Sequence, residues 1–511
     1  MSQAPALPRL AGLPLAGVAM LAALSNFMVV LDTTIANVSV PHIAGALAVS
    51  PSQGTWVITS YSVAEAITVP LTGWLVQRFG TIKVFAVAMT GFGVFSFLCG
   101  LSPSFGMLVA FRVMQGFMGG PIIPTSQTLL LSIFPREKTA QAMGIWSMTT
   151  VVAPIVGPLL GGVLSDGPGW AWVFFINVPV AIGIALGIMS LMKGRETAIR
   201  RVPVDYVGLG LLVLWVGSLQ IMLDRGKELE WFASGTIVGL AVVAAVGFVA
   251  FLIWELTSEN PIVDLRIFRH RGFVAGVIVT CTGFGAFFAS AVLVPLWLQT
   301  SLGYTATWAG RVAALNGVLA VVASPIVARF AGKMDVRLAM TIGVAGMGLI
   351  ALWRSTFTTE VTYWNVAVTF LMQGLCIPFF FVSASMLTLT SVLPQETASA
   401  AGLSNFLRTS GAAFSTSIMT TVWENIATAK RTELVGRLHD APGVIASLVA
   451  RGMTPEQAHG QLDHIVQTQA VMLSTDQVMY VLTWIFFLIV GIVWFAPKPA
   501  PRPMGAAAGG H

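Results

Sequence analysis

Runs of apolar residues long enough to cross a bilayer recur from one end of this chain to the other. They lie near 13–40, 53–76, 82–101, 105–130, 139–165, 172–193, 205–225, 234–256, 272–299, 306–330, 336–355, 363–390, 398–423 and 475–496, with polar connections between them. A helix needs roughly 20 apolar residues to span a hydrocarbon core. The pattern therefore predicts an all-α membrane protein of fourteen transmembrane helices. Of the 511 residues, 56% are apolar and 9% charged, whereas soluble domains carry about a quarter charged residues. A water-soluble body of this size has too few charges here to cover its surface.

An even number of spans puts both termini on one side. Connections on that side hold Arg78 and Lys83; Arg136 and Lys138; Lys193, Arg195, Arg200 and Arg201; Arg266, Arg269 and Arg271; Arg329, Lys333 and Arg337. The opposite short connections hold only Arg225, Lys227 and Arg354. Short loops rich in Lys and Arg stay in the cytoplasm, so residues 1–12 and 497–511 are expected to be cytoplasmic, the latter as a disordered Pro/Gly/Ala-rich tail. The first run is too long for a cleaved signal peptide and is expected to remain. The last external connection, 424–474, is long, polar and helix-patterned, either a solvated cap or a surface on which a partner docks. Ser50 to Gln53 and Thr454 to Gln457 read as capping boxes that start helices.

Several function classes fall away. The spans hold no HExxH, no nucleophile elbow, no phosphate-binding loop, no cofactor fingerprint and no metal-ligand cluster, and His270, His439, His459, His464 and His511 lie in connections or tails. Neither an enzyme, a cofactor protein nor an ATP-driven pump is expected. The net charge of +6 is spread over short loops without a basic stripe, so no nucleic-acid partner is expected. Cys99, Cys281 and Cys376 sit in apolar runs as small hydrophobes.

Charges inside the apolar runs are costly, on the order of 3 kcal/mol each at the bilayer centre. Asp32, Glu65, Arg112, Arg311 and Arg408 are such residues. A carboxylate held there, facing a wet cavity or a basic partner, can load and unload a proton. Asp32 lies mid-run and is the first candidate; Glu65, on one helical face with Ser62 and Thr68, is the second. Arg112 lies several positions inside its run, deeper than a lone snorkelling arginine needs to be. Arg311 and Arg408 carry no assigned role. A wide cavity of mixed character would draw on Asn37, Gln115, Asn316, Gln373, Phe380 and Asn405 as candidate substrate-binding residues.

Three pairs of segments match in the same order. Thr55, Trp56, Pro70, Arg78 and Phe79 match Thr307, Trp308, Pro325, Arg329 and Phe330. Met114, Gln115 and Gly116 match Met372, Gln373 and Gly374; Pro135, Glu137, Thr139, Ala140 and Ala142 match Pro394, Glu396, Thr397, Ala398 and Ala400. The shift is eight spans, so the copies share one orientation. This predicts two parallel six-helix halves, 13–193 and 257–496, with the pair 194–256 inserted between them. Parallel repeats are a transporter architecture with substrate bound midway.

With the loop Gly73-Trp74-Leu75-Val76-Gln77-Arg78-Phe79-Gly80-Thr81-Ile82-Lys83 and the segment from Ala153 through Gly157, Pro158, Gly161 and Gly162, the repeat resembles the major facilitator superfamily. The start Leu31-Asp32-Thr33-Thr34-Ile35-Ala36-Asn37-Val38 resembles fourteen-span drug:proton antiporters. The strings Gln53 to Ser60, Phe174 to Pro179 and Leu219 to Leu229 are similar to EmrB-type multidrug exporters of tripartite systems.

The resemblance implies a major-facilitator-like fold in the inner membrane and proton-coupled efflux of small amphipathic compounds, which can raise antibiotic resistance. It also implies a periplasmic membrane-fusion adaptor and an outer-membrane channel as partners. Asp32, Glu65 and Arg112 would couple protons. Gly73, Arg78, Gly80 and Lys83 would form a cytoplasmic gate, whose usual aspartate is here Gln77. Gly157, Pro158, Gly161 and Gly162 would form the tightly packed hinge helix of antiporters. A dedicated exporter of one metabolite, such as a siderophore or fatty acid, remains an alternative, as does a channel or other non-transporting membrane protein.

Overall fold

Ser50 and Thr454 do start helices. Each hydroxyl accepts from the backbone N–H three residues on, and Gln53 and Gln457 return the contact to the capping residue. The computed structural model describes residues 12–496 apart from 136–137, 201–202, 227, 332–333 and 439. The expectations for 1–11, Arg136, Glu137, Arg201, Lys227, Lys333, His439 and the tail from 497 therefore lie outside the described residues.

Among the described residues the fold is helical, with no strand. The helices are α1 (Leu13–Ala46), α2 (Pro51–Gly54), α3 (Trp56–Phe79), α4 (Thr81–Gly100), α5 (Phe105–Gly119), α6 (Ile122–Ile133), α7 (Thr139–Asp166), α8 (Trp172–Phe175) and α9 (Asn177–Leu191). There follow α10 (Tyr206–Arg225), α11 (Gly235–Thr257), α12 (Arg271–Ser301), α13 (Ala306–Ala331), α14 (Val336–Arg354), α15 (Tyr363–Leu389), α16 (Thr397–Gly436), α17 (Ala441–Ala450) and α18 (Pro455–Val493). Every predicted apolar run is occupied by helix. By length and composition, eleven helical segments of the described chain are able to cross a membrane. The 105–130 run is divided at Gly120 and Pro121 into α5 and α6, because a proline cannot donate to the helical ladder.

Two elements exceed their predicted runs. α16 continues to Gly436 and α18 begins at Pro455, so most of 424–474 is an antiparallel extension of these two long helices, with short α17 at its tip. Trp423 donates its indole N–H to Thr475 at 2.9 Å, and Arg431 pairs with Asp463 across the extension.

Residues of 13–193 meet residues of 257–496 at the end carrying most of the basic loops. Gly73 of α3 abuts Ser399 of α16 so closely that a Cβ would collide with it, and Gly402 lies against the Val69 carbonyl. Val76 and Val84 pack with Ala398, and Ala140 and Met143 share a core with Ala339 and Val382. At the same end Glu396 takes an ion pair from Arg269 at 2.6 Å and a contact from His270 at 2.9 Å. Partial burial works against its charge, but the Leu393 N–H, His270 and Arg269 outweigh this and hold its carboxyl below the usual range.

Candidate functional site

Asp32 is buried in α1, and four other helices converge on it. Arg112 of α5 donates Nη1–H to Asp32 Oδ2 at 2.7 Å. Oδ1 accepts from Gln115 Nε2 at 3.1 Å and from Asn177 Nδ2, at the start of α9, at 2.7 Å. Asn177 also reaches Ser96 Oγ of α4 at 3.2 Å. Arg112 Nε–H donates to the Val57 carbonyl of α3 at 2.9 Å, and its guanidinium lies 4.3 Å from the Tyr61 ring centre. Both partners of the ion pair are fully shielded. A cation and two amides stand there in place of the water that burial removes.

The glycine motif of α7 packs beside this cluster. A Cβ on Gly157 would strike Thr34, and one on Gly161 would lie 3.1 Å from the Ile35 carbonyl oxygen, so α7 rests on the α1 turn that follows Asp32. Asn26 ties the same helices together through Thr149 and Thr150. Gly162 makes no such close contact, and Pro158 is part of the same helix.

Glu65 is not part of the Asp32 cluster. It lines a cavity of about 170 Å³ with Ser62, Gln220, Asn405, Arg408 and Thr409, between α3, α6, α10 and α16. Asn405 donates to Gln127 at 2.7 Å, joining α16 to α6. Of the other candidates, Gln115 is engaged by Asp32 and Arg112, and Gln373 accepts from Arg354 at 2.9 Å. Asn316 is buried with Oδ1 unpartnered among the described residues. Phe380 is buried against Gly283, and Asn37 is exposed. Arg311 stands 4.8 Å from the Trp308 ring centre.

The 73–83 loop is held by a segment that its sequence gives no hint of. Gly80 has φ +91°, and a Cβ there would collide with Glu196. That carboxylate accepts the N–H of Ile82 at 2.9 Å and of Lys83 at 3.0 Å, capping α4. Thr197 accepts the N–H of Thr81, and the Arg200 N–H donates to the Gln77 carbonyl. Arg78 stacks 5.4 Å from the Trp74 ring centre. The carboxylate that meets the 73–83 loop thus comes from the chain between α9 and α10.

Arg354, expected in an external loop, is a correction. It is the last residue of α14 and 2% exposed, bonded to Thr369, Ser290 and Gln373 at 2.9 Å each. A charge at the edge of an apolar run reads as loop, yet here three polar groups on α12 and α15 enclose it. Asn177 and Ser96 were likewise missed, since neutral polar residues stand out little in an apolar run.

The repeat-matched positions behave alike. Gly116 presses on the Tyr61 carbonyl of α3, and Gly374 on the Asn316 carbonyl of α13. The preceding residues, Gln115 and Gln373, each accept from a buried guanidinium.

The sequence profile of the Major Facilitator Superfamily matches residues 22–416. The chain is 44% identical over 492 residues to the multidrug export protein EmrB of Escherichia coli K12, covering 95% of each. It is 42% identical to the fatty acid resistance protein FarB of Neisseria gonorrhoeae, covering 99% of each. Among solved structures it resembles the proton:xylose symporter XylE, with TM-score 0.60 and 14% identity, over 95% of this chain and 96% of that one. At that identity the likeness concerns the fold.

Proposed function

This chain belongs to the major facilitator superfamily and is a multi-pass exporter of the EmrB multidrug type, and we propose that it expels small amphipathic or lipophilic compounds in exchange for protons. The buried Asp32–Arg112 pair carries this reading. Protonating Asp32 cancels its hold on Arg112, and an unpaired guanidinium in a dry site costs several kcal/mol, so the helices holding the pair rearrange. Of these, α1 touches α7 through Gly157 and Gly161, which lets a change at Asp32 reach the packing of that helix. Each proton entering down a 100 mV potential supplies about 2.3 kcal/mol.

In this reading fourteen spans form halves 13–193 and 257–496 around the cavity of Glu65 and Arg408, with 194–256 as an added pair. The matched contacts of Gly116 and Gly374 support the repeat. Both termini are cytoplasmic in an inner membrane, and the basic end, where Gly73 meets Ser399, is the closed cytoplasmic gate. The extension of α16 and α18 lies in the periplasm and receives a membrane-fusion adaptor, which leads to an outer-membrane channel.

Everted vesicles given a fluorescent lipophilic dye in the outer medium test the coupling. Wild-type protein should move dye uphill only with a proton gradient, and Asp32→Asn should abolish that movement at equal protein level. Undiminished uphill movement by the variant would refute antiport through Asp32. The FarB relative favours a second reading, in which fatty acids are the dedicated cargo; susceptibility to fatty acids alone, among many toxic compounds, would select it.

A further inference from the structure

The three side chains that bond Asp32 all present N–H groups to it: Arg112 Nη1, Gln115 Nε2 and Asn177 Nδ2. That shell suits a carboxylate. A carboxyl that has taken up a proton has an O–H to give away, and none of these three nitrogens can receive it. Arg112 Nη2 is unbonded among the described residues, but it too is a donor.

Beside this shell stands an unused acceptor. Tyr61 of α3 is wholly buried, and its hydroxyl oxygen has no well-formed hydrogen bond among the described residues. The guanidinium that binds Asp32 Oδ2 at 2.7 Å lies 4.3 Å from the centre of the Tyr61 ring. Thr33, the residue after Asp32, turns its hydroxyl toward the phenol, which lies within the electrostatic reach of Asp32. Packing fixes the ring. Phe92 meets it edge-on at 6.4 Å between ring centres, and a Cβ on Gly119 would stand 2.6 Å from the hydroxyl oxygen. An unbonded hydroxyl in a dry site is destabilising. Phenylalanine would offer Arg112 the same ring face without that cost.

We propose that Tyr61 is a positioning residue for the exchanged proton, its hydroxyl oxygen accepting the O–H of Asp32 once that carboxyl is loaded. The proposal rests on the proton-exchange reading above and adds a residue to it. The incoming proton bonds one Asp32 oxygen, that O–H is donated to Tyr61 Oη, and the phenolic O–H is donated to Thr33 Oγ1. No proton is lost, and Arg112 is released from the acid while the Val57 carbonyl and the Tyr61 ring keep it on α3. The other titratable groups acting on this site are Glu65, one turn along α3, and Cys99 of α4. α16 and α10 bring Arg408, Asp224 and Arg225 to other turns of α3, beside Glu65, Thr59 and Trp56. α6, α8 and α9 carry no titratable residue, and α7 carries none before Asp166 at its end.

The test measures binding of a lipophilic dye of constant charge to the full chain in lipid nanodiscs, in buffers from acid to alkaline. Where dye and proton exchange, affinity rises with pH, and the pH at half its alkaline plateau marks the proton site. Asp32→Asn should flatten the curve. Tyr61→Phe keeps the ring that seats Arg112 and loses only the acceptor, so its midpoint should lie about one pH unit below wild type, the worth of one hydrogen bond. Thr33→Val should move it the same way by less. An unmoved midpoint in Tyr61→Phe overturns the proposal. So does an upward shift, which would show the hydroxyl donating to the charged carboxylate instead. Infrared difference spectra give a second readout that packing alone would not move. The carboxyl C=O band that Asp32→Asn removes should rise in wavenumber in Tyr61→Phe, and an unmoved band likewise overturns the proposal. A flat wild-type curve would overturn the proton-exchange reading itself, and this inference with it.

Discussion

Asn177 contributes one of the two amide donors to Asp32 Oδ1, at 2.7 Å. A hydrogen bond to a charged group is worth about 1.5–3 kcal/mol. Asn177→Ala should therefore slow proton-driven dye efflux by roughly ten- to a hundredfold at matched protein level, with Arg112→Ala more severe because it strands the carboxylate. Wild-type efflux from the Asn177 variant would reduce the residue to packing. At this scale Asp32, Glu65, Arg112 and Arg408 were legible, since any charge within an apolar run demands a partner or a cavity. What each faces was not legible. Asp32 finds its ligands 80 to 145 positions away, and no periodicity encodes such a meeting. Arg354 was misplaced for the complementary reason, that only the fold shows whether a charge at a helix end turns outward or back.

The glycines act through whole elements. Gly73 permits α3 and α16 to touch at the basic end, where a Cβ would come within 2.6 Å of the Ser399 Cα. Overpacking of this kind costs about 1–3 kcal/mol. Gly73→Ala should shift the population toward arrangements open at that end, and Ser399→Gly should not rescue it because the backbone itself is in the way. Thiol labelling of single cysteines near Val76 reads the shift; unchanged labelling would deny the contact a gating role. Helix positions followed from apolar run length almost everywhere. The break at Gly120 and Pro121 and the run-on of α16 and α18 did not, because one depends on local backbone chemistry and the other on helical propensity outside the apolar run. The hold of Glu196 on the 73–83 loop was also hidden, since its partners are backbone N–H groups that every sequence carries.

At the level of the whole molecule, the extension is joined to the rest of α16 and α18 by continuous helix rather than by a linker. Replacing Ala441–Ala450 with a Gly/Ser loop of equal length should leave insertion and dye binding intact and lower co-purification of a periplasmic adaptor at least about tenfold, a loss on the order of 1.4 kcal/mol. Undiminished co-purification would refute a docking role for the extension.

The extension also has a mechanical meaning. α16 has 40 residues and α18 has 39, so each is close to 60 Å long at 1.5 Å per residue, about twice the ~30 Å hydrocarbon thickness. Arg408 and the extension belong to one rigid rod. A tilt of α16 by a few degrees would be magnified at the far tip into a swing of several ångströms, as with the long arm of a see-saw. A neighbour clamped to that tip would feel each stroke of the pump, and by pushing back would set its tempo.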